Sequence, residues 1–132
     1  MYKAIIVLLL IFSCSVSKAE GILDWQTYGV NTEPLTKEDK IGITMFNVFQ
    51  GIDMLQTLEI VDDDRFYETN PILGKYPSHT EVIGYFVLRG IAHWKLTELI
   101  PQKYRKAWLA VSIVPQIDTI HHNHKIGVRI SW

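Results

Sequence analysis

Apolar residues along the chain fall into one short run near the start and three longer runs, and polar residues interrupt the longer runs at helical rather than alternating spacing. Thr36, followed by Glu38 and Asp39, has the form of a helix N-cap with negative charge in the first turn, so a first helix is predicted over 36–60. Ser78 and Glu81 stand three apart, the pattern of a reciprocal capping box, and open a second helix over 78–100. Pro101 stops that helix and restarts the chain as a third, over 102–123. The second and third helices are therefore expected to form a tight antiparallel hairpin, with Pro115 kinking the third. Residues 61–80 are turn-rich, carrying Asp62, Asp63, Asp64, Asn70-Pro71, Gly74 and Pro77. There Asn70 can cap a turn whose first position is Pro71, where a missing amide hydrogen costs nothing. Residues 20–35 read as an irregular arm. At the other end Ile126, Val128, Ile130 and Trp132 alternate with Gly127, Arg129 and Ser131, the pattern of a short extended tail. The expected fold class is all-α: a small three-helix bundle forming one domain over 20–132.

Each long run carries one polar seam. At 100° per residue, Gln50, Asp53 and Thr57 fall within roughly 60° of one another on the first helix. Tyr85, Arg89 and His93 recur every fourth residue on the second. Ser112, Gln116, Thr119 and Asn123 form the third seam, which Arg105 extends toward the helix start. Helices that are apolar all round except for one stripe turn those stripes toward each other, because an unpaired buried polar group costs about 1 to 3 kcal/mol. The expectation is an interior polar network with Asp53 and Arg89 as its ion pair. The competing reading has the seams facing water, the default for amphipathic helices in small bundles.

Residues 1–19 change the picture of location. Lys3, the apolar run 4–12 and the small polar stretch 13–19 have the form of a secretory signal, with Ser17 and Ala19 before a cut at Glu20. An alternative takes 11–14 as a lipoprotein box ending before Cys14, which would then carry the lipid anchor; a third keeps the segment as an uncleaved anchor. All three predict an exported chain, periplasmic or in the cell envelope. Cutting before Glu20 removes Lys3 and Lys18 from the 13 basic residues and leaves all 14 acidic ones, so no phosphate backbone is favoured and nucleic acid is excluded as a partner. The single cysteine excludes an internal disulfide and a thiolate metal cage. With 132 residues there is room for one domain only.

A membrane-spanning reading meets an energetic obstacle. Arg89 near the middle of the second helix costs about 2.5 to 3.5 kcal/mol on an insertion scale where Leu, Ile, Val or Phe each return about 0.3 to 0.6. Three spans would also put the acidic 61–80 loop in the cytoplasm and Lys103, Arg105 and Lys106 outside, against the positive-inside rule. A compact exported bundle resting on a membrane is the preferred expectation.

The run Tyr67-Glu68-Thr69-Asn70-Pro71-Ile72-Leu73-Gly74-Lys75-Tyr76-Pro77-Ser78, preceded by Asp53, Gln56 and Thr57, resembles an uncharacterised family of small exported or membrane-associated helical proteins of bacteria and their phages. Tyr85-Phe86, His93, Pro101 with Arg105, and Asn123 with Gly127 extend the likeness over roughly residues 50–128, with E-T-N-P-I-L-G as its most specific part. The resemblance implies no activity and no cofactor. It implies that the polar positions and the loop residues Glu68, Asn70, Pro71 and Gly74 form one unit. Gln116 stands where the family leads one to expect an acidic residue.

Candidate chemistry is sparse. Glu68 can act with Asp53 or His93 as acid and base, the arrangement of a small hydrolase, or Glu68 and Asn70 can simply anchor their loop. His121, His122 and His124 sit near a helix C-terminus without the HExxH spacing of a zinc site, and Asp62 to Asp64 lack the ligand order of a calcium loop, so no metal is assigned. No nucleophile elbow, phosphate loop or dinucleotide fingerprint is present. The expected function is a non-enzymatic envelope protein acting through a membrane surface or an envelope protein partner; the hydrolase is the alternative. Small-molecule ligand and oligomeric state are left open.

Overall fold

A computed structural model of the chain describes residues 33–130, so the expected signal segment, Cys14, most of the predicted arm and Trp132 lie outside the described residues. Those residues form three helices and no strand: α1 over Lys37–Asp62, α2 over His79–Leu99 and α3 over Gln102–Lys125. The starts of α1 and α2 lie where the sequence signals put them. Thr36 Oγ1 accepts from Asp39 N at 3.1 Å while Asp39 Oδ2 accepts from Thr36 N at 2.9 Å, and Ser78 with Glu81 repeats the reciprocal pattern. Two amide groups at each start are thereby satisfied.

α1 is the central element, and both other helices pack along it. α2 and α3 do not form the tight hairpin expected from the Pro101 break, because each buries its apolar and polar stripe against α1 and they meet one another only near their junction. There, Trp108 Nε1 donates to Thr97 Oγ1 at 2.9 Å and His93 Nε2 bonds Ser112 Oγ at 2.9 Å. α3 runs on through Pro115 as one helix. The bundle therefore has a closed end, where α1 and α3 begin and α2 finishes, and an open end, where α2 and α3 diverge.

Two apolar clusters hold these ends. Ile43, Trp94 and Leu109, joined by Leu35, Trp108 and Ile113, pack the closed end. Met54, Leu58, Val82 and Phe86, joined by Leu73 and Tyr85, pack α1 on α2 at the open end. Burying each large side chain contributes about 1.5 to 3 kcal/mol. Arg105 ties the closed end together with no accessible surface at all. Its five N–H groups reach five acceptors: the carbonyls of Glu33, Pro34, Glu98 and Ile100, and Asp39 Oδ2 at 3.2 Å. Glu33 Oε2 also accepts from Gln102 N at 2.6 Å, which supplies a first-turn partner that Pro101 has no side chain to provide.

At the C-terminal end the described residues of the predicted tail begin with a helix-closing turn. Gly127 adopts φ 102°, Gly127 N donates to His124 O and Val128 N donates to Asn123 O, so these residues wrap back to close α3. Only glycine enters that backbone region cheaply, and the wrap delivers Val128 into the core at 2% exposure.

Polarity is distributed in an unusual way. Gln50, Asp53, Gln56, Thr57, Thr97, Arg105, Gln116 and Asn123 are buried, while Ile41, Met45, Leu88, Leu96, Val111 and Val114 are exposed. Among the described residues no helix is long and apolar enough to cross a membrane.

Candidate functional site: an interhelical cleft

Where α2 and α3 diverge, the loop 63–78 folds across the opening and bounds a cleft of about 330 Å³. α1 contributes Asp53 and Thr57 to its lining, α2 contributes Tyr85 and Arg89, α3 contributes Gln116, Thr119 and Asn123, and the loop contributes Glu68 and Asn70. Members of all three polar seams and of the loop motif thus line one space.

Asp53 lies at the base. Its Oδ2 accepts from Gln116 Nε2 at 2.5 Å, and the side chain is 7% exposed. Burial raises its pKa to about 6; the bond from Gln116 and the charge of Arg89 oppose the rise, and the charge of Glu68 adds to it. The expected Asp53–Arg89 ion pair is not made: no salt bridge within 4 Å joins these side chains among the described residues. Arg89 instead lies with its guanidinium 5.4 Å from the centroid of the Phe46 ring and acts on Asp53 at a distance. It makes no hydrogen bond to a described residue. Gln116, 2% exposed, leaves its Oε1 without a partner. Asn123 Nδ2 donates to Gln56 Oε1 at 3.3 Å, and Gln56 Nε2 donates to Ile120 O at 3.2 Å, which fastens α1 to α3 beside the cleft.

The loop is shaped by its own polar groups. Glu68 Oε1 accepts from the amides of Thr69 and Asn70 at 2.8 and 2.7 Å, and Asn70 Oδ1 accepts from Ile72 N at 3.0 Å across Pro71. Gly74 turns at φ 75° and donates to Asn70 O. Glu68 and Asn70 therefore anchor the loop while lining the cleft; Pro71 and Gly74 shape it from outside the lining.

Three predicted network residues lie elsewhere. Gln50 Nε2 donates to Phe86 O at 2.7 Å in the α1–α2 interface. His93 is stacked against Phe46, centroids 3.6 Å apart, with Trp108 at 5.3 Å on a nearly parallel plane. Ser112 Oγ donates to Leu109 O, so it accepts from His93 Nε2–H and leaves Nδ1 as the bare, unpartnered nitrogen. Burial, helped by the charge of Arg89, lowers the pKa of His93 to about 4 and keeps the ring neutral. His93 shares the stripe of Tyr85 and Arg89 but lies farther along α2, toward the closed end, and does not line the cleft. A Glu68, Asp53 and His93 acid–base site is therefore not assembled.

The histidines of α3 converge on no partners of their kind: among the described residues no group of three or more His, Cys, Asp or Glu is arranged to hold a metal ion. Asp62 and Asp63 are taken by His79 at 2.8 Å and Arg65 at 2.6 Å. Gln56 and the depth of Arg105 escape the seam pattern. Gln56 lies about 60° around α1 from Asp53, and that neighbour three residues earlier is the signal that could have included it. No family model, no curated protein and no solved structure matches this chain.

Proposed function

We propose that this protein is an exported, non-enzymatic binding bundle of the cell envelope, which rests against a membrane and holds a small polar ligand in the cleft between α2 and α3. The observation that carries the reading is the lining: the buried Asp53 and Gln116 stand with the half-buried Arg89 and Glu68 around one open cleft. Polar and charged groups held there without partners of their own are costly, and a ligand that pairs them removes that cost. Cleft size supports a small ligand, since 330 Å³ is at the lower end of ligand sites. Binding is favoured over the hydrolase built on Glu68, Asp53 and His93 because His93 is sealed in an aromatic stack outside the cleft lining, so one of those three groups is missing from the cleft. Contact with a membrane is supported by the apolar side chains on the outward faces of all three helices, Leu88 at 68% and Val111 at 65% exposure among them.

The test is a thermal-shift screen of the full chain against polar metabolites, followed by ¹H–¹⁵N spectra of the hits. At least one compound is expected to raise the melting temperature and to move the Gln116 side-chain amide. A screen without such a compound overturns the binding reading. Export is checked separately by mass spectrometry of the N-terminus from fractionated cells, which distinguishes a cut before Glu20, a lipidated Cys14 and a retained segment. An unprocessed chain in the cytosol refutes the envelope assignment.

A further inference from the structure

The cleft holds charges of both signs that do not neutralise each other. Arg89 donates no hydrogen bond to a described residue, and no ion pair within 4 Å joins it to Asp53 or Glu68. Glu68 uses Oε1 on its own loop amides, and its Oε2 accepts from no described residue. Asp53 is held at the base by Gln116 Nε2. One wall therefore offers guanidinium donors, while the base and the loop offer acceptors and negative charge. A purely cationic ligand meets Arg89 unfavourably, and a purely anionic one meets two carboxyl groups. An uncharged ligand leaves half-buried charges of both signs without partners, which is the costly arrangement.

Resting on the binding reading above, we propose that the cleft selects a small zwitterion: a primary ammonium received by Asp53 and Glu68, joined through a short spacer to an anionic oxyacid received by Arg89. Free α-amino acids and the phosphoethanolamine headgroup of a lipid share this chemistry. Arginine suits the second role because its planar fork meets two oxygens of a carboxylate or phosphate at once.

The experiment titrates the ¹⁵N-labelled full chain with glycine, alanine, glycerophosphoethanolamine, ethylamine, methyl phosphate and glycerol, following the Gln116 side-chain amide and the Arg89 Nε–H. One zwitterion is expected to bind about tenfold or more tightly than either singly charged compound, since its second charge binds at high effective concentration. Preference for glycerophosphoethanolamine identifies the lipid headgroup, and preference for an amino acid identifies a free solute; either supports the proposal. Arg89→Gln is expected to bring the zwitterion down to the affinity of ethylamine while the helical circular dichroism stays unchanged. Ethylamine or methyl phosphate binding as tightly as the best zwitterion overturns the proposal, and so does glycerol binding best, although the cleft would then still be a ligand site. If no titrant moves a cleft resonance the zwitterion assignment falls, and the wider metabolite screen decides the binding reading independently.

Discussion

Asp53→Asn is expected to stabilise the fold at neutral pH and to lose that advantage in acid. Asparagine keeps an oxygen for the Gln116 amide and removes only the ionisation. In the folded protein the Asp53 carboxyl titrates at about 6 against an ordinary 3.8, with burial as the main cause. A raised carboxyl pKa means that the unfolded chain ionises first, so this group opposes folding increasingly as pH climbs from about 4 to about 6. At about 1.4 kcal/mol per pH unit the opposition reaches roughly 3 kcal/mol above pH 7 and is about 1 kcal/mol at pH 4.5. Paired urea titrations of wild type and variant at several pH values measure the difference, with an unchanged slope establishing that only stability has moved. The comparison must be a difference, because His93 works in the opposite direction over the same range. A variant no more stable than wild type at pH 7.5, or an advantage that does not shrink toward pH 4, refutes the burial of an uncompensated Asp53.

Four further outcomes follow from the same geometry. His93 has a lowered pKa of about 4, so the unfolded chain takes the proton first and stability falls as pH drops from 6.5 through 4; His93→Phe is expected to flatten that acid-side loss of about 3 kcal/mol in urea midpoints. Arg105→Met leaves the buried Asp39 and four backbone carbonyls without the Arg105 donors and is expected to cost about 3 to 5 kcal/mol, with little rescue by Arg105→Lys, whose ammonium has three donors for five acceptors. Ser78→Ala removes the α2 cap at a cost of about 1 kcal/mol, measurable as a lower urea midpoint. At Gly90 an added Cβ meets Asn47 Oδ1 at 2.7 Å and Gln50 Nε2 at 3.1 Å, both on hydrogen-bonded side chains; Gly90→Ala is therefore expected to lower the melting temperature despite a helix-propensity gain of about 1 kcal/mol.

Much of the fold is local enough to be read in the sequence. Thr36 with Asp39, and Ser78 with Glu81, fix two helix starts by contacts made within four residues. The i+4 spacing of Tyr85 with Arg89 and the spacing of Gln116, Thr119 and Asn123 put these residues on common helix faces without tertiary knowledge. How α2 and α3 pack has no such local signature, because Pro101 sets where the chain turns and not how closely its two arms approach. That angle decides which part of each seam meets open space. Arg89 and His93 share a stripe, yet one turn along α2 carries the chain about 6 Å, from the diverging end into the aromatic stack. The Asp53–Arg89 pairing fails for the same reason, since a stripe specifies direction and not distance. Gly127 at positive φ closes α3, a backbone demand that the alternation of side chains around it does not announce.

The Arg105 clamp also fixes a direction for the whole molecule. By holding the carbonyls of Glu33 and Pro34, it makes the chain enter the bundle at the pole farthest from Asp53, which lies sixteen residues, or about 24 Å, along α1 from Lys37. Whatever precedes Glu33 is thus joined to the protein at its foot, with the cleft some way up toward the rim.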